Sequence, residues 1–342
     1  MWYKVNRIEN MPVPAKFNIL RATHLGMCFG VRDAISLALN QTSPTTILGD
    51  LVHNDTVLQQ LRSQGVNIQH QIADITTPNV MITAHGASER ALDRIRQRGL
   101  KVLEATCPLV HYAHRAVARL VNEGYHPVII GKRDHVEVRG LTEDLVEYDV
   151  VLSEEDVAQL NERPRFGVAA QTTQPIDKVR RLVALIENRF PASEVRFHDT
   201  VCQPTKQRQS AAIELAQQSD VVVVIGGAHS NNTRELVATC LKHCPRVHHV
   251  QSAADLHSVW FDGTETVGIT AGTSTPDEVI DQVQEWLEDF ANFQRQLFEH
   301  VHGEGPRLSE PQQFPGETGI DPSGTLQSYR TLCGSESGGP SE

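Results

Sequence analysis

Three cysteines of this chain share one local design. Cys28 stands in HLGMCFGVRDAISLAL, Cys107 in VLEATCPLVHYAHRAV and Cys202 in FHDTVCQPTKQRQSAAIELA. Around Cys107 and Cys202 a strand-like run comes first, and Pro108 or Pro204 then marks a helix opening. Gly26 and Gly30 flank Cys28, and an amphipathic helix carrying Val31, Ala34, Ile35, Leu37 and Ala38 follows. A thiol at a helix N-terminus meets the positive end of the backbone dipole, which favours the thiolate, the form that ligates metal. Three thiolates could hold a tetrahedral zinc ion or three irons of a [4Fe–4S] cluster, and either leaves one coordination position open. The competing reading is that reduced cysteines are small buried hydrophobes. No Cys-x-x-Cys occurs in the chain, and spacing alone does not decide. The separations of 79 and 95 residues nevertheless match about one α/β lobe each. They point to three lobes around a pseudo-threefold centre, each supplying one thiol.

The remaining cysteines read differently. Cys240-Leu-Lys-His-Cys244, with His248 and His249 nearby, imitates a zinc motif but lacks a matched second pair. It reads as a helix end stopped by Pro245. Cys333 lies in a segment where 19 of the 40 residues from Gly303 to Glu342 are Gly, Pro or Ser, a composition that favours disorder, and is incidental.

The elements that must position the thiols follow one plan: a short apolar run, a turn of small polar residues, then a helical pattern. In residues 79–99, Val80 to Thr83 reads as a buried strand and Ser88 as a helix cap. Residues 126–140 read as a strand followed by a polar loop, and 165–190 as a strand with a helix to follow. Residues 219–241 hold the strongest strand signal, DVVVVI. In 265–287, Ser274 or Thr275 caps a helix with Pro276 at its first position. Alternating strands and helices imply α/β units with parallel sheets, whose ligands bind beyond the carboxyl ends of the strands. His85, His135, Thr172, Thr173, Ser230, Asn232 and Ser274 all fall at that point, where Ser, Thr and Asn could also be mere helix caps.

Composition narrows the function. At 342 residues and 39% hydrophobic, the chain suits a globular protein of two or three compact units. It has no apolar run of membrane length and no leader-like N-terminus, so a cytoplasmic protein with reduced cysteines is expected. A net charge of −11 with no basic stripe argues against nucleic acid. A small anion in a neutral polar pocket remains compatible with it.

At these residues the sequence resembles the 4-hydroxy-3-methylbut-2-enyl diphosphate reductases, the IspH or LytB family. The resemblance runs in order from about residue 18 to residue 297. It is carried by GMCFGV (26–31), LVHN (51–54), AHGAS (84–88), EATCPLVHYAH (104–114) and HVEVRG (135–140). It continues in QTTQ (171–174), DTVCQPTKQRQ (199–209), GGAHSNNTREL (226–236) and AGTSTPD (271–277). The resemblance implies an α/β trefoil of three pseudo-threefold-related lobes around a central [4Fe–4S] cluster. Its lobes would span 17–107, 108–201 and 202–297, between an extension at 1–16 and a disordered tail at 298–342. Cys28, Cys107 and Cys202 would ligate three irons, and the open fourth iron would take the substrate hydroxyl. The implied reaction is reductive removal of that hydroxyl, the last step of the non-mevalonate route, giving isopentenyl and dimethylallyl diphosphate. Electrons would come from ferredoxin or flavodoxin, and the enzyme would be a monomer or homodimer without membrane or nucleic-acid partners.

The family pattern also assigns roles. Glu137 matches the acid, Thr172 the group beside it, and His135 a support for proton delivery. His53, His85, His135, Thr172, Ser230, Asn231, Asn232 and Ser274 match the substrate-binding set. His111, His114, Lys206 and Arg208 receive no role, and the last two read as solvated. Three positions depart from the pattern: Val136 replaces the usual Pro, Leu25 the usual Arg, and Asn231 the usual Ser or Gly. These bear on loop rigidity and affinity, not on the reaction class. Two other functions use the same residues: a zinc hydrolase with the three thiolates and Glu137 as base, and a non-catalytic phosphometabolite-binding protein with the cysteines merely buried; Glu137 itself also reads as a surface carboxylate on an alternating HVEV strand.

Overall fold

The computed structural model describes residues 17–301. Strand β1 (Asn18–Arg21) comes first. Lobe one holds α1 (Phe29–Leu39), β2 (Thr45–Leu48), α2 (Asp55–Ser63), β3 (Asn67–Gln69), β4 (Asn79–Ile82), α3 (Glu89–Gln97) and β5 (Lys101–Glu104). Lobe two holds α4 (Pro108–Asn122), β6 (His126–Ile130), α5 (Val136–Thr142), β7 (Asp149–Val151), α6 (Glu154–Ala158), β8 (Arg165–Ala170), α7 (Ile176–Arg189) and β9 (Glu194–Phe197). Lobe three holds α8 (Gln203–Gln217), β10 (Val221–Ile225), α9 (Asn231–Cys240), β11 (Val247–Val250), β12 (Thr266–Ala271) and α10 (Asp277–Val301).

Each lobe builds one four-stranded parallel sheet, and the three sheets share one order. They run β3-β2-β4-β5, β7-β6-β8-β9 and, in lobe three, β11-β10-β12-β1. The outer strand beside β12 is therefore the first strand of the chain, Asn18 to Arg21 pairing with Thr266 to Ile269. This corrects the expected boundary, because residues 17–107 do not form a self-contained lobe. Phe17 anchors the same strand against Phe261 and Phe290. With β1 in that place, every lobe has the same sequence of parts, and every outer strand leads into one of the three cysteines.

The elements form for the reasons their sequences give. Val221 to Ile225 is buried on both faces, Val221, Val223 and Ile225 in one cluster and Val222 and Val224 in another, as a central parallel strand requires. Helix α4 starts with Pro108 and buries Val110, Ala113, Val117 and Leu120 along one stripe. Ser88 caps α3, accepting from the Ala91 amide at 3.0 Å.

Two elements differ from expectation. Residues 136–142, read as polar loop, form α5, because Val138 and Leu141 pack into the core with Ala113, Val117 and Ile129. Helix α10 begins at Asp277, one residue late, and continues past residue 297 to Val301. The extension 1–16 and the tail from 302 lie outside the described residues. No helix among the described residues is long and apolar enough to cross a membrane.

Candidate functional site

Cys28, Cys107 and Cys202 are the N-cap residues of α1, α4 and α8. Each is held by the same bond. Its amide donates to the carbonyl two residues beyond the third strand of its sheet: Cys28 to Thr273 (3.0 Å), Cys107 to Ala84 (3.1 Å), Cys202 to Thr172 (3.0 Å). The thiols are half-buried and free of disulfides. Helix α1 presses its first turn on Cys107, since a Cβ at Gly30 would stand 2.5 Å from that sulfur. Burial is the main influence on Cys107 and Cys202 and pushes both thiols up, Cys202 to about 11. It outweighs the amide bonds at the helix ends, so the dipole alone does not make these groups thiolates. The charges of Cys28 and Glu137 act on both in the same direction.

Glu137 is the second residue of α5 and is buried, 1% exposed, not on a surface strand. Its Oε1 accepts the Thr172 amide at 2.6 Å and its Oε2 meets the Thr172 hydroxyl at 3.0 Å. Burial pushes its carboxyl up to about 7, against the lowering effect of the Thr172 bonds. The same Thr172 whose amide binds Glu137 offers its carbonyl to Cys202. Thr172 thus bonds to both Glu137 and Cys202. His135 caps α5 and its Nδ1 accepts the Glu137 amide at 3.2 Å, leaving the ring proton on Nε2.

His53, His85 and His135 gather beside this pair. The His53 and His85 rings stack at 4.3 Å, and His135 meets them edge-on at 5.1 and 5.5 Å. Burial and their mutual repulsion hold them neutral: His85 is well below the usual range and His135 falls to about 3. His53 is lowered too, by burial and by His229 and Lys132 against Asp50. Lobe three closes the ring of residues. The Ser274 hydroxyl meets the His53 carbonyl at 3.4 Å, and Asn231 Nδ2 donates to Thr173 Oγ1 at 3.1 Å. Ser230 caps α9 through the Thr233 amide at 3.3 Å. Asn232 Oδ1 accepts the Thr273 amide at 2.9 Å. His85 Nε2 and Asn232 Nδ2 are buried without a hydrogen-bond partner among the described residues, the kind of polar atom a bound ligand can satisfy.

Of the residues picked out from the sequence, the structure brings His53, His85 and His135 together, Glu137 onto Thr172 and Thr172 onto Cys202, Ser274 onto His53, and Asn231 onto Thr173. Others had no signal strong enough. Arg208 is buried rather than solvated, with its Nε on the Gly26 carbonyl at 2.9 Å. Thr205, one turn after Cys202, meets that sulfur at 3.1 Å; a Cys-x-x-Thr spacing at a helix start could have shown it. Lys206 is partly buried and pairs with Asp199 at 2.7 Å. Cys240 and Cys244 are buried in the lobe-three core, as their reading as structural thiols expected. His111 and His114 line a separate cleft of about 290 Å³ with Glu104 and Asp144.

The donor set can be tested against the two metal readings. Among the described residues, His53, His85 and His135 are the group whose ligand atoms lie close enough, within 4.8 Å, to share one ion. Cys28, Cys107 and Cys202 do not form such a group, as a single tetrahedral zinc would require. Thiols at three separate helix ends are the donor type that fits a cluster with several metal corners better.

The family model described as LytB protein matches residues 19–288. The 4-hydroxy-3-methylbut-2-enyl diphosphate reductase of Trichlorobacter lovleyi is 37% identical over 282 residues, covering 80% of this chain and 99% of that protein. The reductase of that name from Geobacter sulfurreducens is also 37% identical, over 80% of this chain and 98% of its own length. The solved E-1-hydroxy-2-methyl-but-2-enyl-4-diphosphate reductase of Plasmodium falciparum superposes with a TM-score of 0.74 at 26% identity, over 80% of this chain and 88% of that one. A second structure, of an (E)-4-hydroxy-3-methyl-but-2-enyl diphosphate reductase described as the terminal enzyme of the non-mevalonate pathway, gives 0.59 at 35% identity, over 79% and 99%.

Proposed function

Because this chain belongs to the LytB family, we propose that it is a 4-hydroxy-3-methylbut-2-enyl diphosphate reductase. It removes the allylic hydroxyl as water, using two electrons and two protons, and yields isopentenyl and dimethylallyl diphosphate. The observation that carries this reading is Glu137: a buried carboxyl with a pKa near neutrality, joined through Thr172 to Cys202.

Cys28, Cys107 and Cys202 would hold a [4Fe–4S] cluster by three corners. Bound there, it would supply electrons and a Lewis-acidic iron at its open corner. The protein's own groups do the rest. Glu137 holds a proton at Oε2, because Oε1 is taken by the Thr172 amide. The Thr172 hydroxyl touches Oε2 and can pass that proton to the leaving oxygen. His135 fixes the turn that presents Glu137. His53, His85, Ser230, Asn231, Asn232 and Ser274 would bind the diphosphate, through N–H and O–H donors that suit an anion in a neutral pocket. The anion's charge would in turn favour protonated imidazole, against the burial that lowers these rings. Free cysteines and the lack of a membrane-length helix among the described residues support a cytoplasmic setting. A one-electron donor of the ferredoxin or flavodoxin kind would serve it.

Anaerobic purification tests the reading. The expected protein is brown, with about four irons and four sulfides per chain, and consumes the allylic diphosphate with a strong reductant. A colourless, zinc-loaded protein that hydrolyses the diphosphate instead would overturn it.

A further inference from the structure

Arg208 is a buried cation with no acid partner among the described residues. It lies on α8 less than two turns beyond Cys202 and is 7% exposed. Its Nε donates to the Gly26 carbonyl at 2.9 Å, two residues before Cys28. Its Nη1 donates to the Pro204 carbonyl at 3.0 Å, two residues after Cys202. Gly26 has a φ of +72°, so the turn that offers its carbonyl suits glycine. Other cations nearby are neutralised: Arg32 by Asp277 at 2.8 Å and Lys206 by Asp199 at 2.7 Å. Among the described residues no carboxylate pairs with Arg208. The groups within its electrostatic reach are Cys28 and Cys202, which become thiolates only when they ligate a metal, with Arg32 as a like charge. A guanidinium does not lose its proton in a protein, and burying one without a counter-ion is costly. Its counter-ion is then the ligated centre itself.

We infer that Arg208 is the counter-charge of the metal centre: a positioning residue that ties the Cys28 turn to α8 and makes the centre easier to reduce. This rests on the cluster reading. Each added electron makes the centre more negative, so a fixed cation at its edge stabilises the reduced form more than the oxidised one. Neutralising the cation must move the midpoint potential down.

The test uses the anaerobically purified holoenzyme, with Arg208→Gln and Arg208→Lys beside the parent chain. Iron and sulfide content of the parent judges the cluster reading separately. The expected result for Arg208→Gln is a loaded cluster whose oxidised-to-reduced ratio at a fixed potential rises at least tenfold. For a one-electron couple that is a downward shift of about 59 mV, read by redox titration with EPR. Arg208→Lys, which keeps the charge, should restore most of the midpoint, and KM for the diphosphate should stay within about twofold in both. If Arg208→Gln fails to load but Arg208→Lys loads at the parent potential, the charge is again what matters. An unchanged midpoint in a loaded Arg208→Gln, or failure of both variants to load, would leave Arg208 a structural brace and overturn the inference.

Discussion

Lobes two and three build the same joint from different chemistry. In lobe two, the second residue of α5 is Glu137, which accepts the amide of Thr172 at 2.6 Å. In lobe three, the second residue of α9 is Asn232, which accepts the amide of Thr273 at 2.9 Å. Thr172 and Thr273 each pass their carbonyl to a cysteine, Cys202 and Cys28. The corresponding residue of α2 in lobe one is an exposed Thr56, so the joint occurs there in no third copy. A carboxyl at one joint stores a proton; an amide at the other offers Nδ2, buried and unpartnered, as a donor. The fold supplies two equivalent seats, and on the proposed function the side chain in each would decide which does acid work and which holds the anion.

Exchanging the two chemistries tests this division. Glu137→Gln makes lobe two resemble lobe three. It should keep iron and sulfide content but lower turnover about 10²–10⁴-fold, the contribution of a placed proton donor; retained turnover would remove Glu137 from the mechanism. Asn232→Asp makes the opposite exchange. It replaces a donor by an anion where the diphosphate would lie, so KM should rise about 10²-fold with kcat less affected. A rise confined to kcat would take Asn232 out of the diphosphate pocket.

Thr172→Val keeps the amide bond to Glu137 and removes the hydroxyl. Losing that contact should lower turnover about tenfold. The hydroxyl bond also lowers the Glu137 carboxyl, so the alkaline limb of kcat/KM, expected near pH 7 in the parent, should move higher. A limb that stays in place would assign it to another group.

The smallest effect is on stability. The Glu137 carboxyl sits at about 7 in the fold against an ordinary value of 4.5. A raised acid is protonated in the fold while it is already ionised in the unfolded chain. Between pH 4.5 and 7 this group's contribution therefore falls as pH rises, by about 3 kcal/mol in all. Below 4.5 the penalty is absent and above 7 it is complete. Glu137→Gln lacks it, so the variant should melt about 5 °C above the parent at pH 8 and near it at pH 4.5, by calorimetry of the loaded protein. The residue that most limits turnover when removed would then also be one that costs the fold most when ionised.

What the sequence shows of this arrangement depends on how local each cause is. Val221 to Ile225 is legible because burial on both faces demands an unbroken apolar run. The three strand-cysteine-helix settings are legible because the N-caps are local. Helix α5 is not: His135-Val136-Glu137-Val138 alternates like a strand, and only packing against α4 and β6 makes it helical. The place of β1 is not, since its partner is distant in the chain. Arg208 reads as a solvated helix cation until the Gly26 carbonyl, from another part of the chain, is seen to receive it.

The distance between β1 and β12 also has a consequence in time. Asn18 leaves the ribosome about 250 residues before Thr266, the residue it pairs with. At roughly 5–20 residues per second, the first strand waits roughly 12–50 s for its partner. Lobes one and two can complete their sheets as they emerge, each from a continuous stretch of chain. Cys28 cannot take its place until β12 exists, because its amide is held by Thr273. The three cysteines thus cannot be assembled in any nascent chain that still lacks β12, and the first of them to be synthesised is the last to be seated.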